Sequence, residues 1–530
     1  MRYFIGGFTW EGKSQFDRFI SEGIWENGYE EEKYSDLFSQ ISVGDMFALK
    51  STFVKGRKPN AKSYLRIKQI GIVTDLISKS SIRINWIRDD EFDLTDIKWY
   101  ANTLEEIELP GDKTRIFGKA KNKYEMNNYA ILLETNKNII LTGAPGTGKT
   151  YLAKQIAKQM IGVTSDQELE ESGQFNFVQF HPSYDYTDFV EGLRPTQPDE
   201  NGIMGFELKN GVFKEFCKKA LENLIDSEKS SDELQNESNI KSILDNFLAD
   251  SIENGKKFDY NNKTNQFFII PHFKKEECFY AKILNNESME RQLVFKKDAI
   301  EVLKKADDIK KPTDIQKLFN TRFKYQYTFI FLILEQLRDK LKQKVKEPIK
   351  KIKRKDFIFV IDEINRGEIS KIFGELFFSI DPSYRGKKGA VKTQYSNLHS
   401  DEKEVFYVPE NVFIIGSMND IDRSVESFDF AMRRRFTWIE ITAEQSADNM
   451  NLPQNIKTRM LKLNEQISKT DGLNPSYQIG AAYFLNSNGK PRQDIDNIWN
   501  LRIEPLLREY LRGMPDNIDK IELLKNAFIA

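Results

Sequence analysis

The first 108 or so residues read as β-rich, with stretches in which apolar and polar positions alternate. Residues 64–73 alternate as a half-buried strand does, residues 81–86 repeat the pattern, and residues 43–50 form a turn feeding a strand. Short strands split by Gly and Asp predict a small β-barrel-like domain over 1–108. A charged stretch containing Gly and Lys then predicts a linker over 109–126. Beyond it the pattern changes. Residues 138–143 read as a buried strand running into a Gly-rich loop, 151–161 have helical periodicity, and 175–180 read as the next strand. A lysine-rich segment over 226–348 interrupts this alternation with short strands and helices, including a long helix near 325–344. It reads as an α+β insertion. Buried strands resume at 357–362 and 413–417, with a helix from about 370 between them. From 445 to 530 the chain is mostly helical, with amphipathic stretches at 457–467 and 495–511. The predicted class is therefore α/β: a core split into 127–225 and 349–444 around the insertion, a helical lid over 445–530, and the N-terminal β-rich domain.

The length of 530 residues agrees with several domains. A formal net charge of -1 gives no global electrostatic case for nucleic acid, so any such contact must come from local basic patches. The two cysteines, Cys217 and Cys278, form no CxxC pair, and only three histidines are present. That composition argues against a zinc site and a disulfide framework. The start of the chain lacks the apolar core of a signal peptide, and the longest apolar run, 328–334, is too short to span a bilayer. A soluble, cytoplasmic protein with no membrane partner is expected.

Gly143, Ala144, Pro145, Gly146, Thr147, Gly148, Lys149 and Thr150 match the phosphate-loop pattern G-x-x-x-x-G-K-[ST] in full. An apolar strand precedes it and a helix follows, as the chemistry needs. Glycines let backbone N–H groups wrap a triphosphate, Lys149 brings a point charge to the β and γ phosphates, and the Thr150 hydroxyl ligates Mg²⁺. The helix N-terminus adds its positive dipole end. With Tyr151, these residues are the expected nucleotide-binding set.

The 357–361 run ends in Asp362 and Glu363. Asp362 would hold Mg²⁺ as a Walker-B aspartate does, and Glu363 would act as general base on the attacking water. Two adjacent acids are also what an ordinary solvated strand end looks like; the upstream loop favours the catalytic reading. The 413–417 strand delivers Asn419 to the same sheet edge, where it would orient water or sense the γ-phosphate; an Asn before Asp420 is equally a turn residue. Arg433, Arg434 and Arg435 follow an expected helix over 427–432. They read as arginine fingers reaching a neighbouring subunit, or as a basic cluster favourable to a helix C-terminus.

Taken in order, these elements resemble AAA+ ring motors, and four stretches resemble the McrB family within them. Residues 180–195, opening Phe180-His181-Pro182-Ser183-Tyr184, resemble that family's second-strand region. Asp362-Glu363-Ile364-Asn365-Arg366-Gly367 resembles its extended Walker B. Met418-Asn419-Asp420-Ile421-Asp422-Arg423-Ser424 resembles its signature loop, and Asp429 with Arg433-Arg434-Arg435-Phe436 its finger region. The resemblance covers about 125–225 and 350–515. It implies Mg²⁺, a GTP preference over ATP, and a homo-oligomeric ring, expected as a hexamer. It assigns catalysis to Glu363, Asn419, Asp422, Arg423, Arg434 and Arg435, with Arg434 and Arg435 acting in trans, Thr150 and Asp362 on the metal, and Arg366 near the γ-phosphate. The chain departs from the pattern in its large insertion and at Ala481, where many members carry His. That leaves Arg502 and Arg508 as candidates for a second sensor.

Residues 1–108 resemble, more loosely, the EVE/PUA-like barrels that accept a flipped modified base in an aromatic pocket. Trp10, Trp25, Trp86 and Trp99 are the available large aromatics, and residues 55–62 form a basic loop suited to phosphates. Tryptophans in a small domain are also ordinary core residues. No nuclease signature stands out, so the resemblance implies a separate McrC-like endonuclease acting on DNA that carries modified bases. Two other readings stay open: a MoxR-like AAA+ ATPase remodelling proteins, with the N-terminal domain as adaptor, and a modified-base reader whose ring only oligomerises.

Overall fold

A computed structural model describes residues 1–529 except 11, 29–32, 57–61, 89–90, 198–203, 261–264, 273–276, 285–290, 321–323, 343–350, 400–403, 422–429 and 493. The chain divides into two compact units, one formed by Met1–Ala220 with Asp356–Ala530 and the other by Leu221–Lys355.

The first unit opens with a mixed sheet. Its strand order is Ile24–Glu26, Ser81–Arg88, Lys62–Leu76, Met46–Lys55, Tyr3–Gly6 and Leu104–Glu106, with Phe92–Leu94 paired to the long Lys62–Leu76 strand. Successive side chains point to opposite faces. Phe4, Phe47 and Leu49 enter one apolar cluster, and Ile5, Met46 and Ala48 the other. Both faces are thus covered, the first by Phe19 and Phe38 and the second by Ile116, Phe117 and Ala120. Among the described residues the edge strands Ile24–Glu26 and Leu104–Glu106 do not pair with each other, so the domain is seen as a mixed sheet rather than a closed barrel.

The expected linker is mostly helix. Pro110–Asn136 forms one helix of 27 residues, with Pro110 in its first turn. Gly111, Gly118 and the charges had suggested a flexible spacer. Instead Ile116, Phe117 and Ala120, all fully buried, make a helical stripe against the sheet, and that burial outweighs the conformational cost of the glycines.

Next comes a five-stranded parallel sheet in the order Phe175–Gln179, Phe357–Asp362, Val412–Ser417, Asn138–Thr142 and Thr437–Glu440. Apolar clusters cover both faces, which is why the central strands Phe357–Asp362 and Val412–Ser417 read as apolar runs, while the edge strands carry polar residues. The chain leaves Asn138–Thr142 for the far edge and later returns to its other side. That reversal opens a crevice at the carboxyl ends of the central strands. The lid has its own core around Met460, Leu463, Phe484, Trp499 and Leu524. Its helix from Ile495 to Tyr510 widens into a π-helical turn over Trp499–Ile503 just before Pro505, a residue that lacks the N–H a regular turn would use.

The second unit is an antiparallel four-stranded sheet, Lys257–Tyr260, Asn265–Pro271, Cys278–Ile283 and Arg291–Phe295 in sequence order. Helices Ser231–Glu253, Lys296–Lys304, Pro312–Phe319 and Gln326–Leu341 share its core around Leu244, Phe267, Phe329 and Leu334. Its ends meet where Asn223 bonds the Lys353 carbonyl at 3.2 Å and the Lys355 N–H at 2.8 Å.

Phe213 is the hub of the parallel sheet's core. It stacks on Phe189 at 4.7 Å and meets Phe359 edge-on at 5.0 Å. Phe213→Ala should lower unfolding stability by about 3–5 kcal/mol in a urea titration. A loss under about 1 kcal/mol would show that the ring is not a packing element there.

Candidate nucleotide-binding site

The loop between Asn138–Thr142 and the helix Lys149–Ile161 turns through three glycines at positive φ: Gly143 at 140°, Gly146 at 76° and Gly148 at 80°. Those conformations favour glycine and let the backbone curl around the helix start. Lys149 is buried, and its Nζ donates to the Gly143 and Ala144 carbonyls at 3.0 Å each. Thr147 Oγ1 closes the turn onto the Ala144 carbonyl at 3.0 Å.

Asp362 ends its strand beside this loop. Its Oδ1 accepts from Thr150 Oγ1 at 2.8 Å and from Ser417 Oγ. Next to it Glu363 lies at φ 51° in the left-handed region, a conformation that costs a side-chain-bearing residue on the order of 1 kcal/mol. The strain aims its carboxylate at two partners: Asn419 Nδ2 donates to Oε1 at 3.0 Å, and Arg366 Nε lies 3.2 Å from Oε2. Lys149, Thr150, Asp362, Glu363, Ser417, Met418 and Asn419 line one cleft of about 250 Å³ with Gly146, Gly148 and Ala482.

The oxygens of Thr150, Asp362 and Ser417 converge in this cleft with no sulfur or imidazole among them. That donor set suits a hard cation such as Mg²⁺, which typically takes one or two carboxylates and completes its shell with phosphate and water.

The arginines lie elsewhere. Arg434 Nη2 sits 3.3 Å from Asp381 Oδ2 and its side chain is 76% exposed. Arg435 is largely covered, its guanidinium 4.5 Å over the Phe377 ring, and Arg433 lies over Trp438. Burial opposes ionisation of Asp381, but bonds from Ser383 and Arg434 prevail and hold its carboxyl below the usual range. Buried Asn138 donates to both the Ile380 and Arg435 carbonyls at 2.8 Å, so the sheet fixes the end of the arginine helix Phe430–Arg435. None of the three arginines lines the cleft, and exposed Tyr151 does not line it either. Asp422, Arg423 and Asp429 lie outside the described residues.

The lid reaches the loop directly. Gly480 N–H donates to the Pro145 carbonyl at 2.9 Å and Ala482 N–H to the Gly146 carbonyl at 3.0 Å. Tyr483 packs over Gly146 and Met450 over Gly148, so closely that a Cβ at either glycine would collide. Arg508 pairs with Glu504 on its own helix, and neither it nor Arg502 lines the cleft; Ala482 stands at the lid edge instead.

Residues 139–183 match the family described as ATPase family associated with various cellular activities (AAA), and 319–436 match AAA domain (dynein-related subfamily). Residues 455–519 match McrB, alpha-helical lid domain. The chain carries an AAA+ ATPase domain with a McrB-like lid. It is homologous to the type IV methyl-directed restriction enzyme EcoKMcrB subunit of Escherichia coli K12, 27% identical over 399 residues. That alignment covers 72% of this chain and 56% of the E. coli protein. The type II restriction enzyme BsuMI component YdiS of Bacillus subtilis 168 is 30% identical over 96 residues, 17% of this chain and 28% of that protein. The chain thus spans about half or less of the length of these curated relatives. A solved C. elegans PCH-2 structure aligns over 77% of this chain and 68% of its own at 12% identity, with a TM-score of 0.18, too low to bear on the fold.

Among the tryptophans of the AAA+ protein's N-terminal sheet, Trp25 is fully buried and donates to the Gly7 carbonyl at 2.8 Å, while Trp86 donates to the Phe19 carbonyl at 2.9 Å. Trp10 is half-buried, its indole N–H without a partner among the described residues, and Trp99 is 46% exposed. The four are not gathered into one pocket, since Trp99 stands apart from the cluster the others join. Arg57 and Lys58 of the basic loop lie outside the described residues; Lys55 and Lys62 flank it exposed. Sequence reasoning missed Ser417, Asp381, Ser446 and Asn464, whose roles arise only from tertiary contacts.

Asp362→Asn keeps an acceptor for Thr150 and Ser417 but removes the charge. Its melting temperature should match the parent, while the Mg²⁺-dependent gain in nucleotide affinity falls by about tenfold or more in calorimetric titrations. An unchanged Mg²⁺ response would remove Asp362 from the metal site.

Proposed function

We propose that this chain is the nucleotide-hydrolysing ring subunit of a modification-dependent restriction system. The convergence of Lys149, Thr150, Asp362, Glu363, Ser417 and Asn419 on one cleft carries the reading. The loop from Gly143 to Thr150 cradles the triphosphate, with Lys149 on the β and γ phosphates. Thr150 and Asp362 are the residues that would hold Mg²⁺, which when bound neutralises phosphate charge. Glu363 takes the proton of the attacking water, and Asn419, 3.0 Å from its Oε1, keeps that carboxylate turned toward the γ-phosphate end. Asp422 and Arg423 help place the water, a role that rests on the family resemblance alone.

Arg434 serves a neighbouring subunit. Its 76% exposure and its absence from the lining of its own cleft support a role in trans, with Arg435 holding the base of the finger against Phe377. The assembly is a homo-oligomeric ring, a hexamer in this reading. Kinship with a methyl-directed restriction-enzyme subunit supports the restriction role; the GTP preference, the McrC-like nuclease partner and the cytoplasmic site of action rest on the family resemblance. Among the described residues no helix is long and apolar enough to cross a membrane. The N-terminal sheet reads a modified base in DNA. The exposed Trp99 ring and the exposed Lys55 and Lys62 support this.

Turnover assays with GTP and ATP test the reading. Phosphate release from GTP in preference to ATP, raised by the nuclease partner, is expected; hydrolysis of ATP alone would redirect it toward a protein-remodelling ATPase. Glu363→Gln should retain bound nucleotide and lose turnover by about a hundredfold or more. Arg434→Ala should be equally impaired alone, yet regain part of the activity when mixed with Glu363→Gln subunits. A mixture no more active than either variant would refute a shared site.

A further inference from the structure

We infer that the lid segment after Gln478 sets the orientation of the phosphate-binding N–H groups, with Asn464 and Gly480 as positioning residues. The inference rests on the reading of Gly143 to Thr150 as the triphosphate loop.

In a trans peptide the carbonyl and the following N–H point in opposite directions. Gly480 N–H holds the Pro145 carbonyl and Ala482 N–H holds the Gly146 carbonyl, both toward the lid. The N–H groups of Gly146 and Thr147 are thereby turned away from the lid segment. Neither has a hydrogen-bond partner among the described residues. Two oriented donors at the mouth of a helix are what an anion binds. Without the lid bonds, each peptide is free to flip and present its carbonyl to the phosphates instead.

The segment is itself pinned from inside the lid. Asn464 is 2% exposed and bonds both sides of the Ile479 backbone: Nδ2 donates to the carbonyl at 2.9 Å and Oδ1 accepts from the N–H at 2.8 Å. Buried Ser446 Oγ accepts from Ala481 N–H at 3.0 Å. Polar side chains placed in an apolar core need such partners: Asn464 spends both side-chain bonds on Ile479, and Ser446 Oγ, which donates to the Ala443 carbonyl of its own helix, gives its acceptor to Ala481. Gly480 then fits for a steric reason. Its φ of -80° is open to any residue, yet a Cβ there would lie 2.2 Å from Gly146 C and 2.3 Å from Thr147 N. Alanine at 480 suits the backbone angles there, and the three atoms nearest its Cβ all belong to the phosphate loop.

The test uses the full chain, fluorescent GTP and ATP analogues, and thermal unfolding without nucleotide. Gly480→Ala should melt as the parent does but bind about tenfold or more weakly, with the loss in KM rather than in kcat at saturation. Gly111→Ala, in open space on the N-terminal helix, should leave binding unchanged and melt no lower than the parent. Asn464→Asp keeps the acceptor for Ile479 N–H and loses the donor, so it should weaken binding in the same direction; it carries the decision if Gly480→Ala does not fold. Lys149→Ala separates the two readings. If it abolishes binding while folded Gly480→Ala binds like the parent, the lid inference is overturned and the site stands. If Lys149→Ala also binds like the parent, the site reading itself fails.

Discussion

The site is organised around one carboxylate. Asp362 Oδ1 accepts from Thr150, in the first turn of the helix after the phosphate loop, and from Ser417, at the end of the neighbouring strand. Three segments far apart in the chain are thereby held at a common edge. Parallel pairing makes this possible: Gln179 lies beside Asp362, and Ile361 beside Gly416, so the strand ends arrive together. A carboxylate leaving a buried strand needs donors as it emerges, and the two hydroxyls supply them. The same geometry leaves the neighbouring Glu363 to take the strained conformation that turns it toward Asn419.

Much of this was legible in the sequence because its causes are local. The glycines of the phosphate loop, the apolar run ending in two acids and the strand before Asn419 each specify their own geometry. What was not legible depends on distant partners. Nothing near Asp381 announces that Arg434 will rest on it, and nothing near Asn464 announces that it will hold Ile479. The N-terminal helix was hidden for another reason: its glycines and charges resemble a spacer, and only burial of Ile116, Phe117 and Ala120 against the sheet makes it a packed element. The tryptophans were ambiguous in sequence for the reason the structure displays. Trp25 and Trp86 satisfy their indole N–H groups on backbone carbonyls, while Trp10 and Trp99 do not share that role.

The lid ties nucleotide binding to the rest of the first unit. One short helix, Ala443–Asn449, offers Ser446 to the segment that clasps the loop and Asp448 to Lys121 on the N-terminal helix at 3.4 Å and Lys457 at 2.6 Å. Met450, just beyond it, packs on Gly148. These lid contacts stand beside the direct packing of the N-terminal helix on the core, where Leu133 joins the cluster of Ile139 and Leu152.

Hydrogen–deuterium exchange of the full chain, with and without Mg²⁺ and a non-hydrolysable triphosphate, tests the central claim most directly. The account predicts protection of amides at 143–150, 362–363, 417–419 and 480–483 together, with the loop and the lid segment responding as one. Protection confined to other segments, or none at saturating nucleotide, would contradict it.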